Sequence, residues 1–339
     1  MNIQDFLVAF WIGVAAFSLL LYVVLDGFDL GVGMLTLGVR DEDRRGKMMA
    51  SLSSVWDANE TWLVLLGGVL FGAFPRVYAA LLQGLYIPVI IMLFSLIMRG
   101  VAFEFRHSSQ RKTLWNIVFA SGSLGAAISQ GVILGALIQG WPTSGGNYIN
   151  SGWHWLTPFS LLTALGVTLG YALMGTGWLI FKTTGAIQDS AYRHGMQLLA
   201  ATVVTGALVL GLTPSYNAHI AALWLGATSL PYAVAAAAAI AAALLTLWAY
   251  LKRREYWPFL GTLLLFTASF TGLIGSLYPY AVFPAITWTN AASASDTLLF
   301  MLGGILPLIP IMLFYNGYQY MVFSGKVDSA EYGGGEETE

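Results

Sequence analysis

Residues 25–33 read LDGFDLGVG and residues 56–62 read WDANETW; each run sets two carboxylates inside a stretch otherwise apolar enough to span a bilayer. Asp26/Asp29 and Asp57/Glu60 are both spaced i, i+3, which puts the two carboxyls of a pair on one helix face. An ionised Asp near the centre of a spanning helix costs about 2.5–3.5 kcal/mol on insertion scales. A chain that keeps such groups must enclose them in a bundle, where they serve an ion or proton path. The expected fold is therefore all-α and polytopic, arranged around an acidic centre shielded from lipid.

Composition agrees. Of 339 residues 57% are hydrophobic and 9% charged, against about 25% charged in an average soluble domain. The absence of cysteine excludes disulfides, thiolate metal sites and Cys nucleophiles, and nothing points to a nucleic-acid partner. At about 20 apolar residues per crossing, nine spans are expected, at 6–38, 50–74, 77–103, 114–140, 155–181, 193–213, 229–251, 257–280 and 297–323. The first exceeds a minimal span, so it should tilt or protrude. It also exceeds a signal h-region and lacks a basic n-region, so no cleavable signal is expected. Residues 1–327 read as one transmembrane domain, and 328–339 as a polar, acidic, Gly-rich tail expected to be disordered.

The cations orient the bundle. Fourteen of the fifteen Lys and Arg fall in or beside alternate loops, and only Arg76 falls on the other side. By the positive-inside rule the N-terminus is outside and the C-terminus cytoplasmic.

Asp26, Asp29, Leu30 and Gly33 share a stripe of helix 1, beside a Gly27/Gly31 GxxxG pair that admits a second helix and would take the acids out of lipid. Two readings stand: a polar path, or acids that hydrogen-bond neighbouring helix ends. Asp57 and Glu60 open helix 2, where acids also suit the helix dipole; Asn59, Trp56 and Trp62 add an amide and large amphipathic rings. Arg99, in RGVAFEFR (99–106), either pairs with a buried carboxylate or snorkels to the interface. Asp57, at an inner helix end beside Asn59, is the leading relay candidate, since a partly buried carboxylate relays protons well. Asp296 reads as an outer helix cap. The four histidines, His107, His154, His194 and His219, all lie near loops, so a bis-histidine haem within the bilayer is not expected. No P-loop, HExxH or GxSxG occurs.

The ordered set LDGFDLGVGML (25–35), WDANETWLVLLGGVLFGAFPRVYA (56–79), RGVAFEFR, YPYAVFPAITWTNAASASDTLLFM (278–301) and VFSGKV (322–327) resembles subunit II of the cytochrome bd-type quinol oxidases, collinearly to about Val327. The middle, TPFSLLTALGVTLGYALMGTGWLIFKTTG (157–185), is most similar to the cyanide-insensitive branch. The resemblance implies two four-helix bundles plus one peripheral helix, in a bacterial inner membrane. It implies a heterodimer with a haem-bearing subunit I that carries two b-type haems and haem d, while this chain holds no haem or metal. The complex would oxidise quinol and reduce O2 to water, electrogenically and without pumping. A single-span accessory subunit and a structural quinone or lipid also fit the family. Position by position, the resemblance puts Asp57 on a cytoplasmic proton route, Asp26 and Asp29 in a polar cluster beside it, and Arg99 near it. It puts Trp62 at an oxygen-access path and leaves Glu60 without a settled role. The alternatives are a secondary ion-coupled transporter with acids on Gly-interrupted helices, or a purely structural membrane partner.

Overall fold

In a computed structural model the chain is described over residues 3–141, 143–144, 147–148 and 152–327; the tail expected at 328–339 lies outside the described residues. Helix α1 (Ile3–Leu35) has 33 residues, about 50 Å at 1.5 Å per residue, and so exceeds the hydrocarbon core as expected. It ends in a 3-10 turn (Thr36–Gly38), where Thr36 Oγ1 donates to the Gly33 carbonyl at 2.6 Å.

The structure then departs from the expected second and third spans. A charged helix, α2 (Glu42–Ala50), capped by the Asp41 side chain on Arg44 N–H, precedes the span proper, α3 (Trp56–Ala73). The chain bends by 117° into a separate ten-residue helix, α4 (Pro75–Gly84), and the next span, α5 (Tyr86–Ser108), begins only after it. Proline is the cause. Pro75 has no N–H and crowds the residue before it, so Phe74 leaves helical space (φ −134°, ψ 59°) and Pro75 opens a new helix at its first position.

Beyond α6 (Lys112–Gln139) a short hairpin pairs β1 (Thr143–Ser144) with β2 (Asn147–Tyr148). Helix α7 (Pro158–Lys182) starts on a reciprocal capping box between Thr157 and Ser160. Then come α8 (Gly185–Tyr216), α9 (Ala218–Leu225), α10 (Leu230–Leu251) and α11 (Trp257–Leu277). A second hairpin, β3 (Tyr280–Val282) with β4 (Ile286–Thr287), leads to α12 (Trp288–Ala291) and α13 (Ser295–Val322). Among the described residues eight helices are long and apolar enough to cross a membrane, and α3 with α4 makes nine. Asp296 is exposed in the first turn of α13, where it favours the dipole; Ala294, not Asp296, is the N-cap.

Helices α1, α3, α5 and α6 pack together, as do α7, α8, α10 and α11, while α13 lies against α1 and α3. The two groups join where α7 packs on both α1 and α6. A Cβ on Gly31 would sit 1.8 Å from the Tyr171 carbonyl oxygen, and one on Gly175 would sit 2.5 Å from Gly31 C. The helices therefore meet backbone to backbone, which only glycine permits. Phe28 stacks on Trp178 beside this seam, ring centroids 4.3 Å apart. At the other end of α1, Trp11 is buried with Phe74 and Leu298 and donates to the Leu298 carbonyl at 3.3 Å. Outward faces of α10 and α13 carry exposed Leu244, Phe300 and Phe314, surface that lipid or protein covers in a membrane.

A lysine latch closes the end of the chain. Lys182, at the end of α7, donates to the carbonyls of Phe323 and Gly325, while Lys326 donates to Ile180 O (3.1 Å) and Thr183 O (3.2 Å). Each lysine thus satisfies carbonyls at the C-terminus of the other's helix, where a cation also complements the dipole. Lys326 further pairs with Glu255 at 2.9 Å.

Gly31→Ala should cost at least the roughly 1–3 kcal/mol typical of overpacking, read as a lower thermal midpoint and less assembled protein in membranes. Gly67→Ala, with open space around it, should be neutral. The Lys326 and Gln188 contacts hold the Glu255 carboxyl below its usual range. Their contribution is present above the ordinary carboxylate range and is lost as pH falls through the lowered value. Proteolysis near Val327 should therefore speed up in acid in the native chain, and Glu255→Gln should abolish that pH dependence.

Candidate functional site

Three helices bring the sequence-predicted charges to one point. Asp26 and Asp29 come from α1, Glu60 from α3 and Arg99 from α5. Arg99 Nη2 pairs with Asp26 Oδ1 at 2.6 Å and also with the Glu60 carboxylate. Asp26 and Arg99 are 0% and 2% exposed, Glu60 26%. The reading in which Arg99 pairs with a buried carboxylate therefore holds over the snorkelling one. The α5–α6 contact presses on its backbone: a Cβ on Gly122 would meet Arg99 N at 2.9 Å.

Asp29 sits one turn along the same stripe. Asn59 Nδ2 donates to Asp29 Oδ2 at 2.8 Å, and the Tyr320 hydroxyl of α13 donates to Asn59 Oδ1 at 2.9 Å. Among the described residues Asp29 Oδ1 and Arg99 Nε and Nη1 have no hydrogen-bond partner, and Asp29 and Arg99 line a small cavity with Leu52, Trp56, Phe103 and Phe119. Its volume is about 10 Å³, room for no more than one water, and its walls are mostly apolar. On the other side, Tyr22 precedes Asp26 by one turn and connects through Gln130 to Tyr171 of α7.

Three carboxyl groups around one guanidinium form a set within which a proton can be shared and handed on. Removing these charges from water is expensive, and only mutual pairing with hydrogen bonds offsets it.

Asp57 lies outside the buried set. It is exposed on the surface of this chain, three residues before Glu60 and close enough for the two charges to interact. The expected partial burial of Asp57 is not found; Glu60 takes the inward position, because the α3 face turned to α1 carries Asn59 and Glu60. Trp62 is fully buried, its ring edge-on to Phe17 at 5.7 Å and its Nε1 without a hydrogen-bond partner among the described residues. Tyr22, Gln130, Tyr171 and Tyr320 were not anticipated. Tyr22 was discoverable, since i−4 from Asp26 shares its face; Tyr320 was not, because only the tertiary fold returns α13 to α3.

His107 is exposed near the end of α5, His194 is exposed on α8, His219 lies near the Tyr278 carbonyl, and His154 packs edge-on to Trp141. Among the described residues no three His, Asp or Glu side chains are placed so that they could hold a metal ion.

A sequence profile described as cytochrome bd terminal oxidase subunit II matches residues 7–323. The chain belongs to the cytochrome bd oxidase subunit II family. It is 30% identical over 338 residues to the cytochrome bd ubiquinol oxidase subunit 2 of Bacillus subtilis, covering 95% of this chain and 97% of that protein. It is 29% identical over 349 residues to the cytochrome bd-I ubiquinol oxidase subunit 2 of Escherichia coli K12, covering 90% and 91%. Its fold matches a chain of the bd oxidase from Geobacillus thermodenitrificans with a TM-score of 0.73 at 20% identity, over 91% of this chain and 97% of that one. As a subunit II of this family, the chain is part of a bd-type terminal oxidase complex.

Arg99→Leu strands Asp26 and Glu60 without their cation. Removing one partner of a buried pair costs about 3–5 kcal/mol, so little bd complex should accumulate. Combining Arg99→Leu with Asp26→Leu should restore part of the yield, measured as assembled complex per membrane protein.

Proposed function

We propose that this chain is the non-haem subunit II of a quinol:O2 oxidoreductase, and that it leads protons from the cytoplasm toward the oxygen-reducing site of the haem-bearing subunit I. Reducing O2 to two waters consumes four protons, and a site within a bilayer needs a polar route for them. The observation that carries the reading is graded burial. Asp57 is exposed, Glu60 is a quarter exposed, and Arg99 with Asp26 is enclosed, all in contact or one turn apart. Carboxylates in hydrogen-bonded or ion-paired sequence are fit to relay protons. Asp29, Asn59 and Tyr320 form a side branch.

The basic loops support an outside N-terminus and a cytoplasmic C-terminus, so the Asp57 end faces the cytoplasm. Uptake there, with quinol oxidised near the outer face, makes turnover electrogenic without a pump. In this reading subunit I carries two b-type haems and haem d, and the absence of a mid-span histidine pair in this sequence supports that assignment. The reading also allows a single-span accessory subunit and a structural quinone or lipid against the exposed apolar faces. Trp62, enclosed between α1 and α3, we assign to packing rather than to oxygen access.

The test is oxygen consumption per haem in the assembled oxidase. Asp57→Asn and Glu60→Gln should keep the haem spectrum and lose tenfold or more of the quinol-driven rate, about 1.4 kcal/mol of barrier; Asp296→Asn should turn over normally. Normal turnover in both relay variants removes the proton role, and failure to assemble makes those carboxylates structural.

A further inference from the structure

Asp26 is approached from a second direction, along a hydrogen-bonded chain that crosses three helices. Gln130 is a lone amide in the apolar run ISQGVILGAL (128–137) of α6. Its Oε1 accepts from the Tyr171 hydroxyl of α7 at 2.7 Å, and its Nε2 donates to the Tyr22 oxygen of α1 at 2.7 Å. Both tyrosines are 2% exposed, so each hydroxyl must find its partners inside the protein. Tyr22 stands one turn before Asp26, with its phenol beside the carboxylate. Neither Asp26 oxygen accepts a well-aligned hydrogen bond among the described residues; the Arg99 ion pair is its main compensation.

Direction matters here. A phenol has one hydrogen to give. Tyr171 spends its hydrogen on Gln130 Oε1, which turns Nε2 toward Tyr22; the Tyr22 oxygen accepts, and its own hydrogen is left to point at Asp26. Reversing the amide would strand the Tyr171 hydrogen in a buried site and deprive Asp26 of a donor, both unfavourable in a dry interior. The anion at one end therefore sets the direction of the whole chain.

We infer that Gln130 is a positioning residue: anchored by Tyr171, it aims the Tyr22 hydroxyl at Asp26 and so fixes the proton-accepting geometry of that carboxylate. This rests on the reading of Asp26 as part of the proton route. The groups that face Asp26 are Arg99 from α5, Glu60 from α3, Asp29 and Tyr22 from α1, Tyr171 from α7 and Tyr320 from α13.

The experiment compares Gln130→Leu, Tyr22→Phe, their combination and Asp26→Asn in the assembled oxidase, with kcat per haem and quinol KM measured separately. Gln130→Leu should keep the haem spectrum and the KM and lower kcat about three- to tenfold, the size of one lost hydrogen bond. Tyr22→Phe should do the same, and the double variant should be no slower than Tyr22→Phe alone, as for residues acting through one another. A wild-type kcat in Gln130→Leu, or additive losses in the double variant, overturns the inference; so does a fall in assembled protein with kcat per haem intact, which marks packing alone. Should Gln130→Leu not assemble, Tyr171→Phe removes a single hydroxyl from the same chain. It should lower kcat in the native background and not in the Tyr22→Phe background; an unchanged kcat in the native background is equally fatal. Normal turnover of Asp26→Asn removes the proton-route reading and this inference together. A slow Asp26→Asn with a normal Gln130→Leu removes the inference only.

Discussion

The ion pair of Arg99 with Asp26, enclosed among membrane-spanning helices, is the constraint on which the rest of the structure depends. Neither charge can face lipid, and neither is stable alone in a dry interior. The helices that carry them must therefore stay in register, α1 against α5, with α3 supplying Glu60 to the same guanidinium. Every neighbouring feature serves that requirement. Gly122 lets α6 press against the Arg99 backbone, Asn59 satisfies Asp29, and Trp56 packs on Phe103 across α3 and α5 with ring centroids 5.5 Å apart.

The glycine seam of α1 and α7 is the second element of this logic. Bringing two backbones into contact at Gly31 and Gly175 closes the remaining open side of α1 and carries Tyr171 to the Tyr22–Gln130 chain. This contact, together with the packing of α6 on α7, joins the helix groups and completes the polar network. At the basic end the reciprocal contacts of Lys182 and Lys326 return the end of α13 to α7, while Tyr320 of the same helix reaches Asn59. Helix α13 is peripheral in packing and still contributes to the centre.

Charge within the cluster runs inward from an exposed carboxylate to enclosed ones. Subunit II of a bd-type oxidase needs no redox chemistry of its own to matter for turnover. A partner that reduces oxygen must be supplied with protons, and a route made of side chains works only if each member is held in place by something rigid. On the proposed route Arg99 holds Asp26 and Glu60, while amides and phenols support the members around them.

Much was legible in the residues alone. Apolar runs about 20 residues long mark the spans because backbone polar groups in lipid must be satisfied within a helix. The i, i+3 acids and the Gly27/Gly31 pair announced a buried polar face and a closely approaching helix, since both follow from local helical geometry. The break at Pro75 was misplaced, although the proline that causes it is in plain view, because hydropathy averages over a bend. Which of Asp57 and Glu60 turns inward could not be read, since two residues three apart share a face and only the azimuth of α3 against α1 separates them. That Gln130 reaches Tyr22 across 108 positions, Tyr171 reaches Gln130 across 41 and Tyr320 reaches Asn59 across 261 is likewise decided by tertiary structure: sequence spacing sets neighbours along a helix, while contacts between helices depend on how far each has rotated and slid in the packed bundle.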